Sequence, residues 1–495
     1  MQGILNPFNH YTGSDRIQSP IFVILLSFIV AIIGLIISKM GLIAVIVFIA
    51  LPFIFLYLYI LFSQPIVGLY TAISLGFLLL GFGRYVKDVP IGLAMDAILI
   101  ITYIALIFKK FREKVDWTPA KKFITLLTAL WFCYAMFELV NPEAKSAEAW
   151  FSGRGNGFYP LLFVTLTLLF IDTNRKLDLF FYLWGIFSLL VSFKGLIQLT
   201  IGLDPWEKVW LSTPGNMSTH MLFGKLRIFS ILSDAGQFGA NQAYSAVVAS
   251  IISTVEKDRL KKYFFIAVAF FGFYGMIISG TRGAISIPLA GFMAFFVLRK
   301  NLTVMVSGFL LLFMVFVFFK FTNIGQSNPT IGRMRSGFDP NNPSLQVRLI
   351  NQQRLKGYLA SRPFGGGIGH AGDKAKRYLP YAFLSSVATD SWYVMIWAEQ
   401  GIVGLSLHLF ILFYTISIAS FQAMFRIRDP ILKIKMSALI AGMFGIMVAS
   451  YANGVLGQMP TGMLIYTGMA LMLNTNVFDT PDSNSVTKTV PLSLK

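Results

Sequence analysis

The stretch LIAVIVFIALPFIFLYLYILF occupies residues 42–62 and contains no charged side chain. A helix of this length covers about 30 Å, which is the thickness of the hydrocarbon core of a bilayer. Apolar runs of similar length recur along most of the chain, and they lack the alternating pattern of strands. Because a helix satisfies its own backbone hydrogen bonds in lipid, the sequence predicts an all-α polytopic membrane protein.

The composition excludes a water-soluble globular protein. Hydrophobic residues make up 56% of the 495 residues and charged residues only 13%, whereas a soluble chain is about 25% charged. Residues 1–20 show no charged region followed by a short apolar run and a small-residue cleavage site. We therefore expect no removable signal peptide, and the first apolar run is predicted to be the first span.

The apolar runs predict about 14 membrane spans, or 12 to 13 if two short segments do not cross. The predicted spans are residues 20–38, 42–62, 65–82, 90–108, 122–140, 158–172, 177–201, 236–254, 262–279, 283–299, 302–321, 391–422, 433–451 and 456–474. The short segments are those at 158–172 and 456–474. The longest connection, 323–390, contains a stretch typical of a helix, PSLQVRLINQQRLKGYLASRP.

The distribution of charge predicts the orientation. The chain has 41 Lys and Arg against 22 Asp and Glu, a net charge of +19. The short basic loops all fall on one side of the membrane: 109–122, 172–178, 255–262, 299–300 and 423–435. Basic loops mark the cytoplasmic side, so both termini are predicted inside and the connections 141–157, 202–235 and 323–390 outside. Among the other short loops, Lys39, Arg84 and Lys87 fall on the opposite side. Since topology and anionic lipid explain this charge, no nucleic-acid partner is predicted.

No metal or cofactor is expected. Cys133 is the only cysteine, and the four histidines show no ligand spacing. The glycine-rich segment RPFGGGIGHAGD (362–373) follows no strand and lacks a subsequent Gly-Lys-Ser/Thr, so it is not a nucleotide-binding loop.

Ionisable residues at the outer ends of the spans are the candidate site residues, because charges are costly in a membrane. Arg282 has only small neighbours, which would let a ligand approach closely, and its guanidinium could hold a phosphate through two hydrogen bonds. The alternative is an arginine that reaches to the membrane interface. Arg227, Asp234 and Glu399 are further candidates. Arg227 has the same alternative as Arg282, and Glu399 could instead be a buried acid in a packing turn. The surplus of basic residues in loop 323–390 predicts an anion-binding cavity, or it arises by chance.

Four motifs follow one another in a particular order. These are RIFSILSDAGQFGAN (227–241), SGTRGA (279–284), VRLINQQRLKGYLASRPFGGGIG (347–369) and DSWYVMIWAEQGIVGL (390–405). Together, over about residues 220–420, they resemble the O-antigen ligase and O-antigen or exopolysaccharide polymerase family. The domain organisation that we expect is N-terminal transmembrane helices (1–200), a ligase- or polymerase-like core (201–422), C-terminal transmembrane helices (423–474) and a polar cytoplasmic tail (475–495).

The resemblance implies a metal-independent, inverting glycosyltransferase of the GT-C-like type in the bacterial inner membrane, with its site on the periplasmic face. The implied donor is an undecaprenyl-diphosphate-linked glycan, and the implied acceptor is a glycan or the lipid A core. By the same resemblance, Arg227, Arg282 and Arg348 would bind the diphosphate and stabilise it as it leaves. Asp234 and Glu399 are the expected supporting residues.

The chain departs from the family pattern at one place. Ligases of the family carry a His-Asn pair before the span that follows the long loop, where this chain has Asp390 and Ser391. Either Asp390 or His370 could act as the general base that the attacking hydroxyl needs. This difference favours a polymerase or an atypical ligase.

The sequence leaves two other functional classes to consider, a transporter and a scaffold. A transporter or flippase for lipid-linked or anionic solutes tends to show internal repeats and charges near the middle of the membrane. No repeat is evident here, and the candidate charges gather at the outer edge. A structural or signalling scaffold would not need buried arginines.

Overall fold

The computed structural model describes residues 20–86, 92–112, 115–213, 215–222, 224–326, 329–339 and 343–479. Over these residues the chain is helical, and the predicted all-α polytopic class is confirmed. The sheet in this part of the chain is one small hairpin, in which Met221–Leu222 pairs with Lys225–Leu226. Most of the predicted polar tail lies outside the described residues.

The helices before the hairpin correspond to the first seven predicted spans and to the connections between them. They are α1 (Pro20–Met40), α2 (Leu42–Ser63), α3 (Ile66–Phe82), α4 (Gly92–Arg112), α5 (Phe123–Phe137), α6 (Ala147–Gly153), α7 (Gly155–Phe170), α8 (Asn174–Thr200), α9 (Pro205–Leu211) and α10 (Asn216–His220).

The helices after the hairpin include the remaining predicted spans and the predicted helix of the long loop. They are α11 (Ala235–Ser253), α12 (Arg259–Ile278), α13 (Ser286–Leu298), α14 (Leu302–Phe321), α15 (Pro329–Arg335), α16 (Pro343–Leu359), α17 (Phe383–Ser386), α18 (Trp392–Phe425), α19 (Pro430–Ala449), α20 (Thr461–Met472) and α21 (Thr475–Phe478).

Seven helices of the described chain are long and apolar enough to cross a bilayer: α4, α5, α8, α12, α14, α18 and α19. Five shorter apolar helices accompany them. The predicted span at 456–474 contains a helix over only Thr461–Met472, because its first residues form an irregular turn. These segments therefore leave room for the predicted 12 to 14 crossings.

Helix α11 lies at the centre of the bundle, where almost every one of its residues is buried. It packs against α12 and α19. Its polar side chains find partners inside the bundle: Gln242 Oε1 accepts hydrogen bonds from the hydroxyl groups of Ser188 and Ser192, and Gln237 Nε2 donates to Thr461 Oγ1 at 2.8 Å. Buried polar groups are costly unless they are paired, and these pairs meet that requirement for the atoms named. Among the described residues, Gln237 Oε1 and Asn241 Oδ1 are buried without a hydrogen-bond partner.

The basic loops meet at one end of the bundle. Lys122 Nζ donates to Asn474 Oδ1 at 2.7 Å, Lys435 pairs with Asp178, and the Arg428 N–H donates to Asp479 at 2.9 Å. These contacts bring together loops that the charge pattern predicted to share one side of the membrane. The connection at 141–157 contacts the one at 363–390 through Ser146 and His370, and Ser230 in the connection at 202–234 contacts Gln198 near the end of α8. Helices α8 and α18 each reach from these connections to the basic end.

A kink in α18 holds the glycine-rich turn of the long loop. Gly401 has φ +65°, which breaks the helix locally. The N–H groups of Gly366 and Gly367 donate to the carbonyl groups of Ala398 and Glu399 at 3.0 and 2.8 Å, and the Val403 N–H donates to the Pro363 carbonyl at 3.3 Å. We call this contact between residues 363–369 and 398–403 the clasp. Two of the four sequence motifs therefore meet in space.

The clasp predicts the effect of a methyl group at Gly401. A Cβ there would lie 2.0 Å from the Pro363 carbonyl oxygen, and φ is positive, so Gly401→Ala should cost roughly 2–4 kcal/mol of stability. Thermal unfolding in detergent measures the change. The matched control is Gly357→Ala in α16, where no atom lies within 4 Å of a new Cβ; it should stabilise slightly, by about 0.5–1 kcal/mol. Equal unfolding temperatures for both variants would contradict the clasp.

Candidate functional site

A cavity of about 620 Å³ lies at the end of the bundle opposite the basic loops. Its walls come from the chain on either side of Arg282, from α15 and α16, from the end of the long loop, and from the turn that follows α19. Five residues that the sequence predicted for the site line it: Arg227, Asp234, Arg282, Arg348 and Asp390. Two others, His370 and Glu399, do not line it.

The cavity also contains residues that were not singled out as site residues. Arg333 and Lys374 contributed only to the basic surplus of the long loop, whereas Asn453 and Gln458 come from the turn before α20, beyond the predicted core 201–422. The surplus of basic residues was a signal for Arg333. No spacing or composition pattern pointed to Asn453 and Gln458.

Three guanidinium groups lie close together in the cavity. Burial, together with the positive charges of Arg227 and Arg282, lowers the pKa of Arg333 to about 10. Burial also lowers the pKa of Arg227; the carboxylate of Asp234 opposes this effect, and Arg282 adds to it. Like charges repel most strongly where water is partly excluded. Five basic residues line the cavity against three aspartates, so its net charge is positive and suits an anion.

Glycine residues allow Arg282 to sit at a crowded position. Gly280 adopts φ +58° just before it, and a Cβ on Gly283 would lie 1.9 Å from Asn453 Nδ2. The aliphatic part of the Arg282 side chain runs beside Gly337, and its Nη1 donates to Ser336 Oγ at 3.4 Å. The small neighbours of Arg282 thus permit close packing by the protein itself.

The segment that carries Arg227 is fixed by buried polar contacts. Gln198 Oε1 accepts a hydrogen bond from the Ser230 N–H at 2.8 Å, and Gln198 Nε2 donates to the Ser230 carbonyl at 3.2 Å. Arg84 donates to the carbonyl groups of Ser230 and Leu232. Ser230 itself adopts φ +54°, a strained conformation that these contacts maintain. We call residues 228–233 the strap.

Arg84 explains one exception to the charge pattern. It lies at the end of the bundle opposite the basic loops, where its guanidinium holds the strap through the carbonyl groups of Ser230 and Leu232. Its guanidinium carbon lies 4.4 Å from the ring centre of Phe229 and 4.6 Å from that of Trp210. Burial lowers its pKa to about 10, although nearby carboxylates, Glu207 first among them, oppose this effect.

Asp390 lies at the rim of the cavity and forms an ion pair with Arg348. Asp390 Oδ2 accepts a hydrogen bond from Arg348 Nε at 3.3 Å, and the aspartate side chain is 55% exposed. The next residue, Ser391, caps α18 by accepting a hydrogen bond from the Val394 N–H. Asp390 is thus placed by the start of a helix and by an arginine that itself lines the cavity.

His370 and Glu399 lie on the clasp rather than in the cavity. His370 is buried; its Nδ1 donates to the Ile368 carbonyl at 2.9 Å, and its Nε2 accepts from the Ser146 N–H at 3.1 Å. Burial lowers its pKa below the ordinary value of 6.5. Glu399 is only 3% exposed, and its carboxyl group lies against the N–H groups of Gly369 and Ala371. Both side chains hold the loop that forms one wall of the cavity.

Residues 267–409 match the family model for O-antigen ligase. The match includes Arg282, Arg333, Arg348 and Asp390, and it ends before the turn that contains Asn453. No curated protein matches the chain. The predicted resemblance is confirmed over this segment, and it supports a glycan-transferring membrane enzyme of the O-antigen ligase or polymerase type.

The strap predicts that Arg84 supports the site from outside the cavity. Arg84→Met should leave two carbonyl groups without their charged donor and destabilise the protein by about 2–3 kcal/mol. Because Arg227 immediately precedes the strap, product formation should fall as well. Thermal unfolding and product yield are the two measurements. Arg299→Met, at an exposed arginine of the basic end, is the control and should match the parent protein in both.

His370 predicts a pH dependence of the loop. The lowered pKa means that a released loop binds a proton more readily than the folded one, so the contribution of His370 is fully present above pH 6.5 and is lost as the pH falls below this value. Hydrogen exchange of residues 363–372, corrected for intrinsic rates, should therefore be faster at pH 5.5 than at pH 7.5. His370→Gln should remove this difference. Identical protection of the parent protein at both pH values would argue against the assignment.

Proposed function

We propose that this protein transfers a glycan from an undecaprenyl-diphosphate carrier to an acceptor glycan or to the lipid A core. The observation that carries the proposal is the cavity that brings Arg227, Arg282, Arg333 and Arg348 together within the bundle. The match of residues 267–409 to O-antigen ligases supports the same class of reaction.

The arginines suit a diphosphate better than they suit a single carboxylate. A guanidinium donates two parallel hydrogen bonds to phosphate oxygens and keeps its charge at any physiological pH. Burial and mutual repulsion raise the free energy of three charged guanidinium groups that lie side by side. Binding of a dianion is favourable because it relieves this repulsion. In our proposal these side chains supply the positive charge that a metal ion supplies in other transferases, and the reaction is metal-independent.

An apolar cavity beside the arginines offers a binding place for the isoprenoid chain of the carrier lipid. It measures about 960 Å³ and lies between α12, α13 and α14. Ile228, Ile285 and Met334 line it. Ile228 and Met334 directly follow Arg227 and Arg333 in the chain, and Ile285 lies three residues after Arg282. A diphosphate bound by the arginines would place its isoprenoid chain in this cavity, where burial of apolar surface is favourable.

The reaction that we propose is a single displacement at the anomeric carbon. An acceptor hydroxyl oxygen forms a bond to that carbon, while the bond from the carbon to the diphosphate oxygen breaks. The electron pair leaves with undecaprenyl diphosphate, whose growing charge the arginines stabilise. Attack from the opposite face inverts the anomeric configuration. Asp390 accepts the hydroxyl proton, and Asp234 keeps its supporting role beside Arg227.

The orientation is part of the proposal. Basic loops mark the cytoplasmic side, and here they meet at one end of the bundle while the arginine cavity lies at the other. We therefore place the cavity at the periplasmic face of the bacterial inner membrane. We keep residues 201–422 as the functional core, with the turn at 452–458 added to it because that turn lines the cavity.

Replacement of Arg282 tests the function. Arg282→Ala should lower transfer by about 10²–10³-fold, as for loss of one group that stabilises a developing anion. Arg282→Lys should restore little, because an ammonium group does not donate two parallel hydrogen bonds. The measurement is glycan product formed from lipid-linked donor by purified protein in detergent. Arg299→Ala is the control and should retain full activity.

The same assay separates the enzyme from a flippase. In detergent micelles there is no membrane to cross, so a flippase would leave the lipid-linked donor unchanged.

In cells that lack the protein, complementation with the parent or with Arg282→Ala shows which product depends on it. If cells with the inactive variant make single glycan units in place of polymer, the protein is a polymerase. If they still make polymer but do not attach it to lipid A, the protein is a ligase. Full activity of Arg282→Ala would overturn the proposed site.

A further inference from the structure

A second cavity, of about 270 Å³, adjoins the arginine cavity. It lies between the start of α13, the turn that follows α15, helix α16 and the end of α19. Arg282, Gly283, Arg348 and Ala452 line both cavities. We call this space the side chamber. A group bound in it can therefore reach the arginines from a direction different from that of a ligand in the apolar cavity.

The walls of the side chamber differ from those of the other two cavities. Its polar lining consists of Ser286, Ser336, Asp339 and Gln352 in addition to the two shared arginines. Two aromatic residues, Phe338 and Tyr451, also line it, and Tyr451 is 60% exposed. Hydroxyl, amide and carboxyl groups form hydrogen bonds to sugar hydroxyls, while aromatic rings pack against the C–H faces of sugars.

The charges argue against a second diphosphate in this chamber. Its cations are the two arginines at the shared wall, and Asp339 adds a carboxylate that repels a phosphate. A long isoprenoid chain fits poorly as well, because the apolar cavity is more than three times as large and its lining is almost wholly apolar. A neutral chain of sugar residues matches both the polarity and the size.

The position of the side chamber relative to the proposed donor supports the same ligand. Ile285 and Leu289 line both the apolar cavity and the side chamber, so the first turns of α13 lie between them. Arg348 is part of the shared wall and pairs with Asp390. A hydroxyl that extends from the side chamber past Arg348 would thus meet the carboxylate of Asp390 and a diphosphate bound at Arg282.

We propose that the side chamber binds the acceptor glycan, with Tyr451 as a platform for one sugar ring and Gln352 as a hydrogen-bonding partner. This inference rests on the proposed function and names the place of its second substrate. Donor lipid and acceptor glycan then reach Arg282 from two sides of α13, and the acceptor hydroxyl is presented to the anomeric carbon across the wall formed by Arg282 and Arg348.

The first test is a kinetic comparison of Tyr451→Ala and Gln352→Leu with the parent protein. Purified protein in detergent is assayed with varied acceptor at saturating donor, and with varied donor at saturating acceptor. The KM for the acceptor glycan should rise about tenfold, equivalent to one lost contact of about 1.4 kcal/mol. The KM for the donor should stay within about twofold, a change too small to represent a lost contact. Tyr381→Ala is the control, because Tyr381 is 99% exposed and lies outside the chamber.

A binding measurement separates this inference from the proposed function. Binding of a lipid-free oligosaccharide of the acceptor is measured in the presence of undecaprenyl diphosphate, with and without Tyr451→Ala. Weaker oligosaccharide binding by the variant, with undecaprenyl diphosphate binding unchanged, supports the side chamber. A parent protein that binds the oligosaccharide but forms no product would contradict only the proposed reaction. If only a lipid-linked acceptor binds, or if the variants weaken the donor instead, the chamber is not a glycan site.

Discussion

Repulsion between guanidinium groups is the constraint around which the site is built. Burial lowers the pKa of Arg333 most, and the nearby charges of Arg227 and Arg282 lower it as well, because water cannot fully screen them in a half-buried cavity. Such an arrangement persists only if the backbone holds each arginine against the repulsion. The strap does this for Arg227, and the glycines at 280, 283 and 337 allow the close packing that does it for Arg282. The polar contacts of the outer end therefore serve mainly to position charge.

Much of the fold could be predicted because the membrane imposes simple rules. Each predicted span falls on a helix, since a long apolar run has few other ways to satisfy its backbone in lipid. The helix in the long loop was also predicted from local signals, and it is observed over Pro343–Leu359. Five predicted site residues share one cavity, because the order of the four motifs identified segments that lie together at one end of the bundle.

What could not be predicted depends on contacts between distant segments. Gln198 and Arg84 act through the strap, and neither has a local pattern that indicates such a role. His370 was a candidate general base in a glycine-rich segment, yet the glycines serve the close approach of that loop to Gly401. The sequence does not distinguish a loop histidine that is exposed and able to take up a proton from one that is buried with both ring nitrogens hydrogen-bonded. Asn453 and the side chamber likewise depend on the turn after α19, which joins the site only in three dimensions.

The clasp also changes the entropy of closing the long outer connection. By joining residues 363–369 to 398–403 it divides one large loop between α14 and α18 into two smaller ones. The entropy of closing a loop grows slowly with its length, by about 0.6 kcal/mol for each doubling. Extra residues near the exposed tip at Tyr381 therefore add little to the free energy of folding, whereas the segments on either side of the clasp carry the cavity wall. Changes in length can accumulate at that tip while the charged site keeps its geometry.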